Sequence, residues 1–216
     1  MTYPVNPRSR IKICGITRIQ DGVEAVRLGA DAIGLVFYDK SPRHVLLQQA
    51  QDICASLPAF ATVVALFLNP SKQQVDEVLA TVAIDLLQFH GTEMADFCGQ
   101  FVKPYIKAIG IDGVQNYAER MAAYPDSKGF LLDSHKTGAA GGTGEAFDWA
   151  QIPAEYRQSI ILAGGLNADN IAQAVQQVRP YAVDLSSGVE SSPGIKDAAK
   201  MAQLIHEVKR VDCEQD

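Results

Sequence analysis

Cysteine is scarce in this sequence, and its placement excludes two common uses of the residue. The four thiols are far apart and have no CxxC spacing: Cys14, Cys54, Cys98 and Cys213. Such a distribution predicts neither a disulfide framework nor a zinc site, and it is typical of a reducing compartment, here predicted to be the cytoplasm. The histidines have no spacing with acidic residues that would predict a metal site.

Long apolar runs and basic clusters are also absent. No stretch is long enough to cross a bilayer, and the first ten residues, MTYPVNPRSR, lack the apolar segment of a signal peptide. Lys and Arg number 19 against 25 Asp and Glu, a net charge of -6, and no basic block is present to meet a nucleic-acid backbone. The sequence therefore predicts no membrane and no nucleic acid among the partners.

The sequence does contain a regular alternation of short apolar runs and helical patterns. The runs are continuously apolar, as in parallel strands that are covered on both faces: RIKIC, AIGLVF, TVVALFL, IDLLQF, YIKAI, GFLLD, SIILAG and YAVDLS. Apolar residues also repeat at helical spacing on single faces: Ile19, Val23 and Val26 early in the chain, and Ile171, Val175 and Val178 late in it. Thr17 with Gln20, and Ser71 with Gln74, have the spacing of capping boxes.

About eight such units predict a single (β/α)8 barrel domain over residues 1–216, with residues 1–9 as an N-terminal extension that we expect to be flexible. A doubly wound open sheet is the alternative, because periodicity alone does not show whether the strands close into a ring. The glycine-rich stretch HKTGAAGGTGEAFDWAQIP interrupts the regular pattern. It predicts a functional loop with a short helical segment, which Trp149 anchors to the barrel.

Two reactive side chains are placed at predicted strand ends, where a barrel gathers its chemistry. Cys14 ends the first strand and Asp133 ends the sixth. A free cysteine is most often a small buried apolar residue, but a helix start just beyond Gly15 would favour a thiolate. A carboxylate directly after an apolar strand needs solvent, a hydrogen-bond partner or a substrate. Both residues are therefore candidate catalytic groups.

Glycine and small polar residues follow the last two predicted strands, in LAGGLN and LSSGVE. Backbone N–H groups at this position of a barrel commonly hold a phosphate. The pattern predicts phosphate contacts at two residues after each strand: Gly164, Gly165, Ser187 and Gly188. The GGTG of the glycine-rich loop adds a third cluster, which contains Gly142.

Seven motifs, in order along the chain, resemble the phosphoribosylanthranilate isomerases of tryptophan biosynthesis: KICGIT, DAIGLVFYDKSPR, LLQFHG, LLDS, GGTGEAFDW, LAGGLN and VDLSSGVESSPGIKD. The resemblance runs from Ile11 to Asp197. It implies an Amadori rearrangement of N-(5-phosphoribosyl)anthranilate to 1-(2-carboxyphenylamino)-1-deoxyribulose 5-phosphate, with no cofactor and no metal. A small-molecule sugar phosphate is then the partner, and we expect a monomer or a homodimer.

The resemblance also implies two catalytic roles. Asp133 is the general acid that protonates the ring oxygen, and Cys14 is the general base that removes the C2 proton. For these roles we expect a raised pKa at Asp133 and a lowered pKa at Cys14.

Three further residues match family positions, and each has a second interpretation. Arg43 matches the position that binds the anthranilate carboxylate, and the alternative is a solvated loop arginine. Asp184 resembles a carboxylate near the substrate, or it pairs with Arg43 or Lys12. His90 contacts the substrate, or it is a hydrogen-bonded loop histidine.

Three rival functions fit parts of the pattern. A ribulose-phosphate epimerase would need paired histidines and aspartates for a metal at the strand ends, where this sequence has Cys14 and Asp133. An aldolase-type barrel would use Lys12 to form a Schiff base. A non-catalytic sugar-phosphate binding module would keep the glycine loops and bind without turnover.

Overall fold

The computed structural model describes residues 8–110, 117–134 and 148–214, and eight parallel strands form a closed barrel at its centre. The strands are β1 (Arg10–Cys14), β2 (Ala32–Val36), β3 (Thr62–Phe67), β4 (Leu86–Phe89), β5 (Tyr105–Gly110), β6 (Phe130–Asp133), β7 (Ile160–Leu162) and β8 (Ala182–Leu185). β1 pairs with both β2 and β8, which closes the ring. The predicted (β/α)8 barrel is confirmed, and the open sheet is excluded.

Helices cover the outside of the barrel. They are α1 (Ile19–Leu28), α2 (Leu47–Ser56), α3 (Lys72–Thr81), α4 (Ala95–Gly99), α5 (Tyr117–Ala122), α6 (Ile171–Val178) and α7 (Ala198–Cys213). Two short 3-10 helices, Trp149–Gln151 and Ala154–Ser159, lie between β6 and β7, and an antiparallel hairpin of β9 (Glu190–Ser192) and β10 (Ile195–Lys196) follows β8. No helix in the described segments is long and apolar enough to span a membrane.

The core lies between the strands and the helices, as expected where parallel strands are covered on both faces. Every residue of β5 is buried, and so is every residue of β1 after Arg10. Phe67 of β3 and Phe89 of β4 stack, with ring centroids 6.2 Å apart. Trp149 is buried and its 3-10 helix contacts α6, which confirms its predicted anchoring role.

The predicted apolar face of α1 is only partly confirmed, because Val26 packs against the core but the other two residues do not. Ile19 is 43% exposed and Val23 is 36% exposed, whereas Asp21 is buried. The Asp21 carboxylate accepts hydrogen bonds from the Arg18 guanidinium and from the Lys196 N–H of β10. This ion pair and hydrogen bond turn a polar face of α1 toward the β9–β10 hairpin, which helical periodicity alone does not reveal.

The two predicted capping boxes have different outcomes. Ser71 is the N-cap of α3 and accepts a hydrogen bond of 3.1 Å from the Gln74 N–H, but the Gln74 side chain donates to the Phe37 carbonyl instead. Thr17 is not a cap, because α1 begins after Arg18 and the Thr17 hydroxyl donates to a carbonyl of the β9–β10 hairpin. These polar side chains connect loops at the carboxyl ends of the strands.

Arg8 and Ser9, which directly precede β1, are hydrogen-bonded to residues later in the chain. The Ser9 N–H and hydroxyl donate to the Asp212 carboxylate of α7, at 2.8 and 3.0 Å, and Arg8 donates to Asp31. The predicted flexible extension is therefore attached at its last two residues, and residues 1–7 lie outside the described residues.

Candidate active site

A cavity opens at the carboxyl ends of the strands. Five of the residues singled out in the sequence line it: Cys14, Arg43, His90, Asp133 and Asp184. They come from β1, β6, β8 and the segments after β2 and β4. Closure of the barrel brings these distant segments of the chain around one space.

Cys14 is the last residue of β1, directly beside Gly34 of β2 in the strand register. A Cβ atom at Gly34 would lie 2.7 Å from the Cys14 Sγ, so the glycine provides the space for the thiol. Burial raises the pKa of Cys14, and attraction to the Lys12 ammonium offsets part of this effect. The expected lowering of this pKa is therefore wrong, because water is excluded and α1 begins only at Ile19.

Lys12 and Asp184 form a buried ion pair between β1 and β8, with 2.8 Å between Nζ and Oδ1. The strand register places the two residues side by side. Burial alone would lower the pKa of Lys12, but the attraction of Asp184 and Cys14 raises it above its usual value. A permanently protonated amine is not a nucleophile, so the geometry does not support the Schiff-base alternative.

Asp133 ends β6 with its side chain close to His90. The Asp133 Oδ2 lies 3.5 Å from the His90 Nε2, and the Ser134 hydroxyl lies 3.5 Å from Oδ1. Burial lowers the pKa of His90, so the imidazole is neutral near pH 7. The Gln88 amide nitrogen lies 3.2 Å from Nδ1, an arrangement that suits the tautomer with the proton on Nε2, the nitrogen that faces Asp133.

A buried lysine fixes the loop that carries His90. The Lys107 Nζ donates to the Phe89 and Gly91 carbonyls, at 3.1 and 2.7 Å, and lies 3.2 Å from the Glu93 carboxylate. Glu93 in turn accepts from the Gly91 N–H. This support was not predicted, although a lysine inside the apolar run YIKAI is a usable signal of a buried, paired charge.

Arg43 is bound by Glu190 through both arms of its guanidinium. Its Nε and Nη2 donate to the two carboxylate oxygens at 2.8 and 2.7 Å, and the side chain is 11% exposed, which excludes the solvated loop arginine. The Lys196 Nζ is 2.9 Å from the same carboxylate. Gly15, at φ +76°, leaves room for Arg43, because a Cβ there would be 2.5 Å from the Arg43 Cδ.

Neither Glu190 nor Lys196 was singled out in the sequence. Both lie in VESSPGIKD, but no periodicity indicates that this segment forms a hairpin over the site. Asp184 contacts Lys12 rather than Arg43, whose two donors go to Glu190.

The loops after β6, β7 and β8 are in direct contact. A Cβ atom at Gly188 would lie 2.1 Å from the Leu166 carbonyl oxygen, and one at Gly164 would lie 2.5 Å from the Ser134 nitrogen. Gly188 belongs to a 3-10 turn, Ser187–Val189, that directly follows β8. The prediction that the LAGGLN and LSSGVE loops are neighbours is confirmed.

The loop after β7 has a conformation that requires glycine. Gly164 and Gly165 have φ values of +82° and +64°, in the left-handed region. The Asn167 and Asn170 amides donate to the Gly165 carbonyl, at 3.1 and 2.9 Å, and so hold that peptide in one orientation. The third predicted glycine, Gly142, lies outside the described residues.

No group of three or more metal-ligating side chains is found in the part of the chain that the structure describes. The His44 Nε2 lies 3.3 Å from an exposed Asp39 carboxylate.

Comparison with known proteins gives consistent matches over nearly the whole chain. Residues 11–207 match the sequence profile of the family described as N-(5'phosphoribosyl)anthranilate (PRA) isomerase. The chain is 52% identical over 205 residues to the N-(5'-phosphoribosyl)anthranilate isomerase of Stutzerimonas stutzeri (strain A1501), which covers 95% of this chain and 99% of the relative.

Two solved structures of phosphoribosylanthranilate isomerases are also similar. The first contains monomers of the dimeric enzyme from Thermotoga maritima, with a TM-score of 0.79, 36% identity, and coverage of 94% of this chain and 99% of that one. The second is a complex with reduced 1-(o-carboxyphenylamino)-1-deoxyribulose 5-phosphate, with a TM-score of 0.80, 37% identity, and the same coverage of 94% and 99%.

Proposed function

Because this chain belongs to the phosphoribosylanthranilate isomerase family, we propose that the cavity at the strand ends is its active site and that Cys14 and Asp133 transfer the protons. The enzyme converts N-(5-phosphoribosyl)anthranilate to 1-(2-carboxyphenylamino)-1-deoxyribulose 5-phosphate in tryptophan biosynthesis. The observation that supports the residue assignment is that a thiol from β1 and a carboxylic acid from β6 line one cavity.

The reaction needs an acid and a base in turn. Asp133 protonates the furanose ring oxygen, the C1–O bond breaks, and the lone pair of the anilino nitrogen forms the iminium. Cys14 then removes the proton from C2, and the electron pair of that C–H bond neutralises the iminium to give an enolamine. A proton then returns to C1 and the C2 hydroxyl releases its proton, so that the C2–O bond becomes the carbonyl of the ketose. The raised pKa that the first step requires of Asp133 stays a prediction.

His90 orients the acid in this scheme. A neutral imidazole with its proton on Nε2 directs a hydrogen-bond donor at Asp133 without adding a charge that would hold the carboxyl ionised. The ion pair of Lys107 with Glu93 keeps the backbone before and after His90 in place. His90 is thus proposed as a positioning residue.

The activity is tested with freshly generated phosphoribosylanthranilate, whose fluorescence is lost on conversion. We expect enzyme-dependent loss of the signal without added metal or cofactor. A binding module would bind the compound without converting it, so the fluorescence would decay at the same rate as in a sample without protein. An aldolase-type enzyme would instead be inactivated by borohydride in the presence of its carbonyl substrate.

Arg43 is proposed to bind the anthranilate carboxylate. We expect Arg43→Ala to raise KM on the order of 10- to 100-fold, since a charge-assisted hydrogen bond contributes about 1.5–3 kcal/mol. Arg27, which pairs with Glu24 on the surface of α1, provides the matched control, and Arg27→Ala should leave KM unchanged.

The inhibition constant of a sugar phosphate without the aromatic carboxylate separates recognition from loop structure. This ligand should bind Arg43→Ala as well as it binds the wild type. Equal weakening of both ligands would mean that Arg43 only holds its loop against Glu190.

The phosphate is proposed to bind between the loops after β7 and β8. The contact between Gly188 and Leu166 brings the two loops together, and the left-handed glycines allow close approach of the backbone. In the part of the chain that the structure describes, the N–H groups of Gly164 and Gly165 donate to no acceptor. Such donors are suited to a phosphate oxygen.

We also propose a homodimer or a monomer as the working state, and the cytoplasm as its location. The Thermotoga maritima relative is described as dimeric, which supports the first of the two states. All four cysteines of this chain are free thiols, which supports a reducing compartment. Light scattering on the purified protein distinguishes the two assemblies.

A further inference from the structure

A buried lysine next to the proposed base has no task in the scheme above. Lys12 and Cys14 are two residues apart on β1, so both side chains point to the same face of the strand. A Cβ atom at Gly34 would lie 3.2 Å from the Lys12 Nζ and 2.7 Å from the Cys14 Sγ. The ammonium and the sulfur therefore share the space that Gly34 leaves open.

Asp184 fixes the ammonium in this space. It accepts one hydrogen bond of 2.8 Å from Nζ, which leaves two further donors on the same nitrogen. The positive charge of Lys12 favours the thiolate of Cys14, whereas the negative charge of Asp184 disfavours it. The other titratable groups that line the cavity are Tyr38 and Arg43, from the segment after β2, and His90 and Asp133, from the ends of β4 and β6.

We propose that Lys12, held by Asp184, is a positioning residue that stabilises the thiolate form of Cys14. The proposal rests on the assignment of Cys14 as the base. A thiolate loses its hydration in a closed cavity, and a fixed cation at close range replaces part of that stabilisation. The charge of Lys12 thus allows a buried thiol to accept and release a proton.

Two other cations lie near Cys14, but both are engaged elsewhere. Lys196 of the β9–β10 hairpin donates to Glu190, and Arg43 donates to both oxygens of the same carboxylate. Glu190 therefore neutralises much of their combined charge. Lys12 differs from both, because its ammonium shares with the Cys14 sulfur the space beside Gly34. Its removal should have the largest effect on the thiol.

The first test measures the thiolate directly, without the isomerase reaction. Lys12→Met replaces the ammonium by an apolar group of similar length. We expect the rate of Cys14 alkylation by iodoacetamide, followed by peptide mass spectrometry, to fall about 10-fold or more at neutral pH, because the thiolate fraction falls tenfold per unit of pKa. The rate should recover at higher pH. Lys209→Met, on the surface of α7, should behave like the wild type.

A second variant keeps the test usable if Lys12→Met does not fold. Lys12→Met leaves Asp184 buried without its partner, which is a strongly destabilising change. The double variant Lys12→Met/Asp184→Asn removes both charges, and its alkylation profile should still shift to higher pH, by a smaller amount. An unshifted profile in the double variant, or in a folded Lys12→Met, would overturn the proposal, since Lys12 would then only neutralise Asp184.

The pH dependence of kcat separates this proposal from the assignment of the base. If both are correct, the kcat profile of Lys12→Met shifts to higher pH together with the alkylation profile, while KM changes little. A shift in alkylation with an unchanged kcat profile would support the effect of Lys12 on the thiol and refute Cys14 as the base. An unchanged alkylation profile refutes the role of Lys12, even if Cys14→Ser remains inactive.

Discussion

Replacing Cys14 by serine lowers kcat by about 100-fold or more, and replacing Asp133 by asparagine lowers it at least as much, if the proposed roles are correct. Removal of a positioned proton-transfer group usually costs on the order of 10²- to 10⁴-fold. Serine keeps the shape of the side chain but is a far weaker base at neutral pH. Asparagine keeps the hydrogen-bonding shape of Asp133 but cannot release a proton to the ring oxygen.

The chain offers a matched control for the thiol. Cys54 on α2 is half-buried, and burial raises its pKa to about 11, so it stays a thiol in the folded protein. Cys54→Ser makes the same chemical change away from the cavity and should keep the wild-type kcat. Steady-state kinetics by fluorescence, with circular dichroism to verify folding, measures all three variants. Near-normal turnover in folded Cys14→Ser or Asp133→Asn would refute the corresponding role.

Gly188→Ala is expected to raise KM for the substrate on the order of 100-fold. The added Cβ would lie 2.1 Å from the Leu166 carbonyl oxygen, so the loops after β7 and β8 must separate. Separation removes phosphate contacts from both loops, and each charge-assisted hydrogen bond contributes about 1.5–3 kcal/mol. Inorganic phosphate should lose affinity as well, because it uses the same contacts.

Gly129→Ala adds the same methyl group at a place where it fits. Its Cβ would lie 3.7 Å from Ile106, an ordinary contact, just before β6 at the other end of the barrel. This control should keep the wild-type KM and phosphate affinity, as measured by kinetics and by competitive inhibition. If folded Gly188→Ala binds phosphate normally, the anion does not lie between these loops.

Much of the fold could be predicted because it follows from local pattern. Each of the eight apolar runs lies on one strand of the barrel, and strand ends such as Cys14 and Asp133 identify one rim as the place for chemistry. Sequence periodicity does not predict the orientation of a helix where its side chains form hydrogen bonds with residues far away in the sequence. α1 turns Asp21 inward rather than Ile19, since its carboxylate has partners in a hairpin 175 residues later.

The electrostatics of the site depend on contacts of this kind. Arg43 meets Glu190 across 147 residues of sequence, and Lys12 meets Asp184 across 172 residues. No spacing rule relates such pairs, because closure of the barrel and the position of the β9–β10 hairpin create them. The pKa of Cys14 was mispredicted for the same reason: its burial is a property of the closed ring, whereas the sequence indicates only a helix start nearby.

The pairing of β1 with β8 also sets when this site can form during synthesis. Translation makes Cys14 of β1 long before the partner strand Ala182–Leu185. Until that strand leaves the ribosome, the Lys12 ammonium lacks its carboxylate and Cys14 lies on an open sheet edge. We therefore expect the Cys14 thiol to be exposed until β8 pairs with β1, and the proposed acid–base site to form only when the barrel closes.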